Sequence, residues 1–227
     1  MILFAGALAV IVCGYLMNKG VISVSVPAHK SDGTYKVVID AGHGGSDPGK
    51  VGVNQTEEKE INLQIAIQLK ELLEQEDIEV VMTREEDGGL YSEKAANKKL
   101  EDMRARCKLM EEEDPDLVVS IHQNSYTDSS VRGAQVFYYG QSAEGKKAAE
   151  CIQNALNERL DKAYSRECKA NESYYILKKT VKPAVIVECG FLSNPEEEAL
   201  LNTPEYQKKI VWAIHFGVLQ YLKGLSL

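Results

Sequence analysis

The stretch Lys36-Val-Val-Ile-Asp-Ala-Gly-His-Gly-Gly-Ser-Asp-Pro-Gly49 decides how the rest of the chain is read. Val37, Val38 and Ile39 form a short β-branched run, polarity begins at Asp40, and glycines crowd the residues that follow. A continuous apolar run closed by Gly and Pro reads as a buried strand that empties into a loop. His43 stands in that loop among residues with little side chain, where backbone or substrate can approach closely. An imidazole in such a place is a candidate metal ligand or acid/base.

Two other stretches repeat the pattern. Leu117-Val-Val-Ser-Ile121 ends in His122, and Ala184-Val-Ile-Val187 ends in Glu188. Three separated buried strands thus each stop at a residue able to bind metal or move a proton. In open α/β sheets, sites form at the carboxyl ends of strands, so one shared site is expected.

Helical periods fill the intervals. Ile61, Ile65, Leu69 and Leu72 recur at four, four and three, with Thr56 as the expected N-cap and acids in the first turn, giving a helix to about Glu76. Residues 78–82 read as a second strand ending at Thr83-Arg84, and residues 85–97 as a polar loop long enough to cap a site. Leu100, Met103, Cys107 and Met110 mark another helix, closed by Pro115. Residues 134–139 read as a strand, 143–160 as a helix, and 174–177 as a short strand or turn. Thr203-Pro-Glu205 opens the last helix by cap, N1 proline and acidic first turn. Strands alternating with helices predict an α/β fold, a largely parallel sheet with helices on both faces.

The 227 residues suit one well-buried domain better than two. A formal charge of −8 gives no basic footprint for nucleic acid, and an anionic polymer would have to be held by local contacts. Five cysteines, odd in number and without a CxxC pair, write neither a disulfide framework nor a thiolate zinc site. Cys107 and Cys151 fall on apolar helix faces and read as buried thiols, and Cys189 reads as a filler. Residues 2–17 are an uncharged apolar run, just short of the usual ~17–25 of a membrane span. No basic residue precedes the run and no small-x-small cleavage site follows it. The expected organisation is an N-terminal membrane anchor or signal over residues 1–18, a tether over 19–35 and one folded domain over 36–227. The domain is expected outside the cytoplasm, membrane-anchored or secreted.

Two histidines at strand ends invite a third ligand. A metal that keeps an open position for water is often held by two His and one carboxylate. Asp40, Asp47, Glu57, Glu58, Glu60 and Glu188 are all acids within reach of such a site, and composition does not choose among them. His29 and His215 read as lying outside it.

Taken together, Asp40-Ala-Gly-His-Gly-Gly, Glu58-Lys59, Ser120-Ile-His-Gln-Asn124 and Glu188-Cys-Gly-Phe-Leu-Ser-Asn194 resemble the zinc-dependent N-acetylmuramoyl-L-alanine amidases of the amidase-3 type. The resemblance covers residues 36–221, and its four ordered motifs make it specific. Ala41 stands where proline is frequent, Glu57 where a basic residue often precedes the ligand glutamate, and Ser125 where alanine usually follows; none of these removes a functional group. The resemblance implies a twisted sheet of about six strands, one Zn²⁺ on His43, Glu58 and His122, and Glu188 as the catalytic carboxylate. It implies hydrolysis of the amide between the lactyl group of muramic acid and L-alanine in peptidoglycan. Thr83-Arg84-Glu85, Gly89-Leu-Tyr-Ser92, residues 100–106 and Val136-Phe-Tyr-Tyr-Gly140 look most like the germination-specific members of spore-forming bacteria. That subtype implies work in the spore cortex, where muramic lactam forms.

Asn124 and Asp40 are candidates to orient the ligands, and Arg84, at a strand end, to contact a substrate carboxylate. The partners expected are peptidoglycan and a membrane met through the N-terminal segment; any protein activator is left unassigned. The competing readings are a zinc peptidase or carbohydrate deacetylase of the cell wall, and a module that grips glycan without cleaving it.

Overall fold

Strand β1 (Lys36–Ala41) runs through the middle of the domain with every residue after Lys36 buried, as its unbroken apolar run requires. In this computed structural model, which describes residues 33–224, β1 pairs in parallel with β2 (Glu79–Met82) and, on its other flank, with β3 (Leu117–Asn124). The remaining strands are β4 (Gln135–Tyr138), β5 (Lys169–Ala170) and β6 (Ala184–Phe191), and the sheet order is β2-β1-β3-β6-β4-β5. β6 is parallel to β3, whereas β4 runs antiparallel to β6. The chain leaves β1 for β2 and then returns to lay β3 on the opposite side. Such a reversal opens a crevice at the carboxyl ends of the two strands. His43 and His122 sit at that crevice.

Side chains alternate across the strands with period two, and the alternation sorts the chemistry from the main core. Val37, Ile39 and Ala41, then Leu117, Val119 and Ile121, then Val185 and Val187 face the large hydrophobic cluster. That cluster is covered by α1 (Glu58–Glu74), α3 (Ala143–Arg159) and α6 (Pro204–Lys223). Val38, Val118 and Ile186 face a smaller cluster under α2 (Lys98–Glu112) and α4 (Tyr175–Lys179). One step further along each of these three strands, on this second face, stand Asp40, Ser120 and Glu188, with His122 beyond Ser120. The expected α/β sheet with helices on both faces is therefore the observed one.

Several local expectations are corrected. Thr56 does not cap α1; the N-cap position is Glu57, without a side-chain cap, and Thr56 Oγ1 accepts from Asn202 Nδ2 at 2.9 Å. Residues 174–177 are not a strand, because α4 begins at Tyr175. The edge strand β5 and the short helix α5 (Pro195–Leu201), capped by Asn194, carry too few residues to show a period. Residues 85–97 brace the glycine loop from its flank instead of covering the strand ends: Asp87 Oδ1 accepts from Gly45 N and Tyr91 Oη from Ser46 N, both at 2.8 Å. Cys107 and Cys151 are half-buried and Cys189 fully buried, and all three thiols are free. Residues 1–32, with the expected anchor, most of the tether and His29, and residues 225–227 lie outside the described residues. Among the described residues no helix is long and apolar enough to cross a membrane.

Helices α3 and α6 cross closely at Gly217, where an added Cβ would come within 2.5 Å of Ile152 Cα and 2.9 Å of Ile152 N. A helix-favouring residue there would gain ~1 kcal/mol of propensity. The obstacle is backbone, which cannot rotate away, so overpacking wins. Gly217→Val is expected to lower stability by about 1–3 kcal/mol or more in urea denaturation; a variant as stable as the wild type would contradict this crossing.

Candidate metal centre

His43, Glu58 and His122 come from three elements, the loop after β1, the start of α1 and the end of β3, yet each offers a ligand atom within 4.8 Å of the others. His43 Nε2 lies 3.2 Å from Glu58 Oε2, and His122 Nδ1 lies 2.9 Å from Glu58 Oε1. Donors bound at ~2.0–2.2 Å around one tetrahedral ion would stand ~3.3 Å apart. The residues therefore fit a metal ion in both donor type and spacing. Glu57, the neighbouring acid, turns its carboxylate to Lys59 Nζ at 3.3 Å and is not in the cluster.

The local sequence explains how these atoms meet. His43 holds φ at 62°, a left-handed conformation costly for a non-glycine residue. Arg106 Nη2 donates to His43 O at 2.6 Å and fixes that bend. Two glycines leave room for the cluster. A Cβ at Gly42 would fall 2.3 Å from His122 Cε1, and one at Gly49, where φ is 72°, would fall 2.6 Å from Glu58 Oε2. Glu58 is 1% exposed, so its carboxylate requires donors: Lys50 N at 2.7 Å, Gln123 N at 3.0 Å and Asn62 Nδ2 at 3.3 Å. Asp47 Oδ2 lies 3.0 Å from His43 Nδ1, and a proton donated there leaves Nε2 free to bind.

The electrostatics favour a cation. Burial works to raise the Glu58 carboxyl, but hydrogen bonds and charge from His122 and His43 overcome it and hold the group ionised. Burial likewise opposes a charge on His43, yet Asp47 and Glu58 raise that imidazole to about 9. Glu188 differs. Burial pushes its carboxyl up, Tyr174 Oη donates to Oε1 at 3.1 Å, and Oε2 is buried with no partner among the described residues. The carboxylate lines the same cavity, of about 280 Å³, as the metal cluster, with Asn124, Ser125, Tyr174, Lys50 and Lys99 at its walls.

Asp40 lies in the floor of this cavity and makes no hydrogen bond to the three converging donors. Fully buried, it accepts from Thr83 Oγ1 at 2.8 Å, Ser120 Oγ at 2.5 Å and Arg106 Nη1 at 2.7 Å. Burial acts to raise its carboxyl, but the charges of Arg106 and His122 and the Ser120 hydroxyl hold it down at about 2. Arg84 is not among the residues that line this cavity. Only 6% exposed, it donates to the carbonyls of Ala41, Gly42, Lys59 and Glu86, because a buried guanidinium needs acceptors and the loop supplies them. Asn124 faces the cavity with Oδ1 turned to Ser125 N, while Glu58 is held by Asn62 Nδ2 and the Gln123 backbone N–H. Asn62 carried a usable signal, being one helical turn from Glu58 on the same face. Arg106 carried a weaker one, four residues after Asp102. Tyr174 carried none. His215 is buried in α6, outside the site as expected.

With this geometry in view, the chain can be placed. Residues 37–220 match the Amidase_3 family, N-acetylmuramoyl-L-alanine amidase. The chain belongs to that family, and its activity is that of an amidase acting on peptidoglycan. It is 38% identical over 188 residues to the germination-specific N-acetylmuramoyl-L-alanine amidase of Bacillus subtilis (strain 168), covering 82% of this chain and 78% of that one. It is 30% identical over 240 residues to amidase AmiA of Escherichia coli (strain K12), covering 86% of this chain and 78% of that one. Among solved structures, the CwlD amidase from Clostridioides difficile, determined in complex with the GerS lipoprotein, superposes with a TM-score of 0.82 at 39% identity, covering 85% of this chain and all of that one.

Two outcomes follow from the Asp40–Arg106 pair. Arg106→Met leaves a buried carboxylate without its counter-charge and is expected to cost about 3–5 kcal/mol in urea denaturation. Because the Asp40 carboxyl titrates lower in the folded protein than its ordinary 3.8, its contribution is complete above about pH 4 and disappears as pH falls toward 2. The stability gap between wild type and Asp40→Asn should therefore be full at pH 5 and narrow below pH 4; a gap independent of pH would remove Asp40 from this role.

Proposed function

We propose that the chain uses one Zn²⁺, held by His43 Nε2, Glu58 and His122 Nδ1, to hydrolyse the amide between the lactyl group of N-acetylmuramic acid and L-alanine. The observation that carries the reading is Glu188: a buried carboxylate whose Oε2 is unpartnered, in one cavity with three converging metal donors. A pure binding module has no need of both. Two imidazoles and one carboxylate with an open position suit zinc. When bound, the metal supplies Lewis acidity, polarising the scissile carbonyl and lowering the pKa of water toward ~7.

The chain's own residues supply the rest. Asp47 fixes the tautomer and ring plane of His43, and Lys50 N, Gln123 N and Asn62 hold Glu58. Glu188 Oε2 takes the proton of the attacking water and returns it to the amine of L-alanine as that group leaves. Burial, which favours the protonated form of Glu188, suits a group that must accept and then give up a proton.

The spore cortex is the proposed setting, supported by the likeness to a germination-specific relative. There the product, peptide-free muramic acid, would pass to an enzyme that closes the lactam. The lipoprotein bound to the Clostridioides difficile amidase supports a protein partner of that kind for this chain. Residues 1–18 are proposed as the membrane anchor or signal, residues 19–35 as the tether and 36–227 as the catalytic domain, outside the cytoplasm.

Glu188→Gln is expected to lower kcat by at least ~10²-fold while zinc stays bound at one ion per chain, whereas His122→Ala should lose both. Digestion of intact sacculi by the wild type should release stem peptides with L-alanine at their amino end. Released acetate in the mass spectrum would identify a deacetylase instead, and undiminished activity of Glu188→Gln would remove that residue from the mechanism.

A further inference from the structure

The sequence gives Tyr174 no role, and the chemistry above does not use it. Its phenol nevertheless donates to Glu188 Oε1 at 3.1 Å. The tyrosine is fastened from three sides, independently of Glu188. Asn171 Oδ1 accepts from Tyr174 N at 2.9 Å and from Ser173 N at 2.8 Å, which sets the turn before α4. Asn171 N donates to Tyr138 O at 2.8 Å, tying that turn to β4. The Tyr174 ring packs edge-on against Phe137 of β4, with centroids 5.5 Å apart at 82°.

We propose that Tyr174 is a positioning residue for the reaction: it holds Glu188 by Oε1 so that Oε2 alone is left to handle the proton in the cavity. The inference rests on the assignment of Glu188 above. A carboxylate free to turn would present either oxygen at varying angles. One hydrogen bond from a rigidly mounted donor removes that freedom, and the unpartnered state of Oε2 is the counterpart of the bond to Oε1. Packing against Phe137 needs only the ring, so the hydroxyl is the part whose purpose is Glu188. The arrangement also assigns the segment leading into α4 a place at the active site, which its ambiguous sequence pattern conceals.

The test uses the zinc-loaded full chain in detergent with a soluble disaccharide-tetrapeptide as substrate. Tyr174→Phe keeps the ring and removes the donor. A hydrogen bond to a charged group corresponds to about a tenfold to hundredfold change, so kcat should fall by that factor with KM within about twofold, and with zinc content and Tm unchanged. Asn171→Ala, which keeps the hydroxyl but loosens its mount, should lower kcat in the same way by a smaller factor. It decides the matter if Tyr174→Phe fails to fold. A merely structural role predicts that Tyr174→Phe behaves as wild type and that only Tyr174→Ala suffers, and that result would overturn the proposal. So would a fall in kcat accompanied by loss of zinc. Glu188→Gln is assayed in parallel: if it is inactive while Tyr174→Phe is normal, only the positioning role fails, and if it is active, both readings fail.

Discussion

The buried ion pair between Asp40 and Arg106 is the contact on which the site is built. Arg106 reaches from α2 to the carboxylate of β1 and continues to the carbonyls of Ala41 and His43. Asp40 in turn gathers hydroxyls from the end of β2 and from β3. Three strands and one helix are thereby fixed to one another at the cavity floor. A buried guanidinium and carboxylate cost several kcal/mol each in desolvation, so such a pair persists only when nearly every donor and acceptor is answered. Here the answering groups include the backbone of the glycine loop itself. The loop's left-handed bend at His43 is thus maintained by charge from below, with Arg84 donating to the Ala41 carbonyl as well and to that of Gly42.

The two faces of the sheet divide the work. The large apolar cluster on the side of α1, α3 and α6 holds most of the buried hydrophobic residues. The opposite side keeps a smaller apolar cluster and, at the carboxyl ends of its strands, substitutes polar residues: Asp40, Ser120, His122 and Glu188. Helix α1 belongs to the first side, yet its first residue, Glu58, meets the second. It does so because loop residues 48–50 bond the start of α1, Lys59 N donating to Pro48 O and Glu58 N to Lys50 O. Membership in the amidase family accords with this economy, since the crevice at a strand reversal is where open α/β sheets bind their ligands.

Two carboxylates, Glu58 and Glu188, meet different environments within one cavity. Glu58 is wrapped by two backbone donors, an amide and two imidazoles, which keep it ionised. Glu188 has one phenolic donor and is otherwise desolvated, so burial raises its carboxyl above the ordinary value. Environments that push two acids apart in this way suit the two roles proposed for them, ligand and proton carrier, without any difference in residue type.

Much of this was legible in the chain itself. Apolar runs ending in His43, His122 and Glu188 specified three buried strands and the functional group at the tip of each, because an unbroken apolar run and an abrupt onset of polarity are properties of local sequence. The cap and proline at Thr203-Pro204 and the helical spacing after Leu100 were legible for the same reason. The choice of Glu58 came only through likeness to a family; the residues alone left six acids open. What sequence could not decide was which distant groups would share a dielectric and a donor. Arg84 spends itself on carbonyls, Asn62 and Gln123 take the place given to Asn124, and Tyr174 arrives from a turn with no period of its own. Those outcomes depend on burial and on partners tens of residues away, and a buried polar group takes whatever acceptor the fold brings within 3 Å. Local pattern set the strands and their tips; only packing set how each tip is charged, held and aimed.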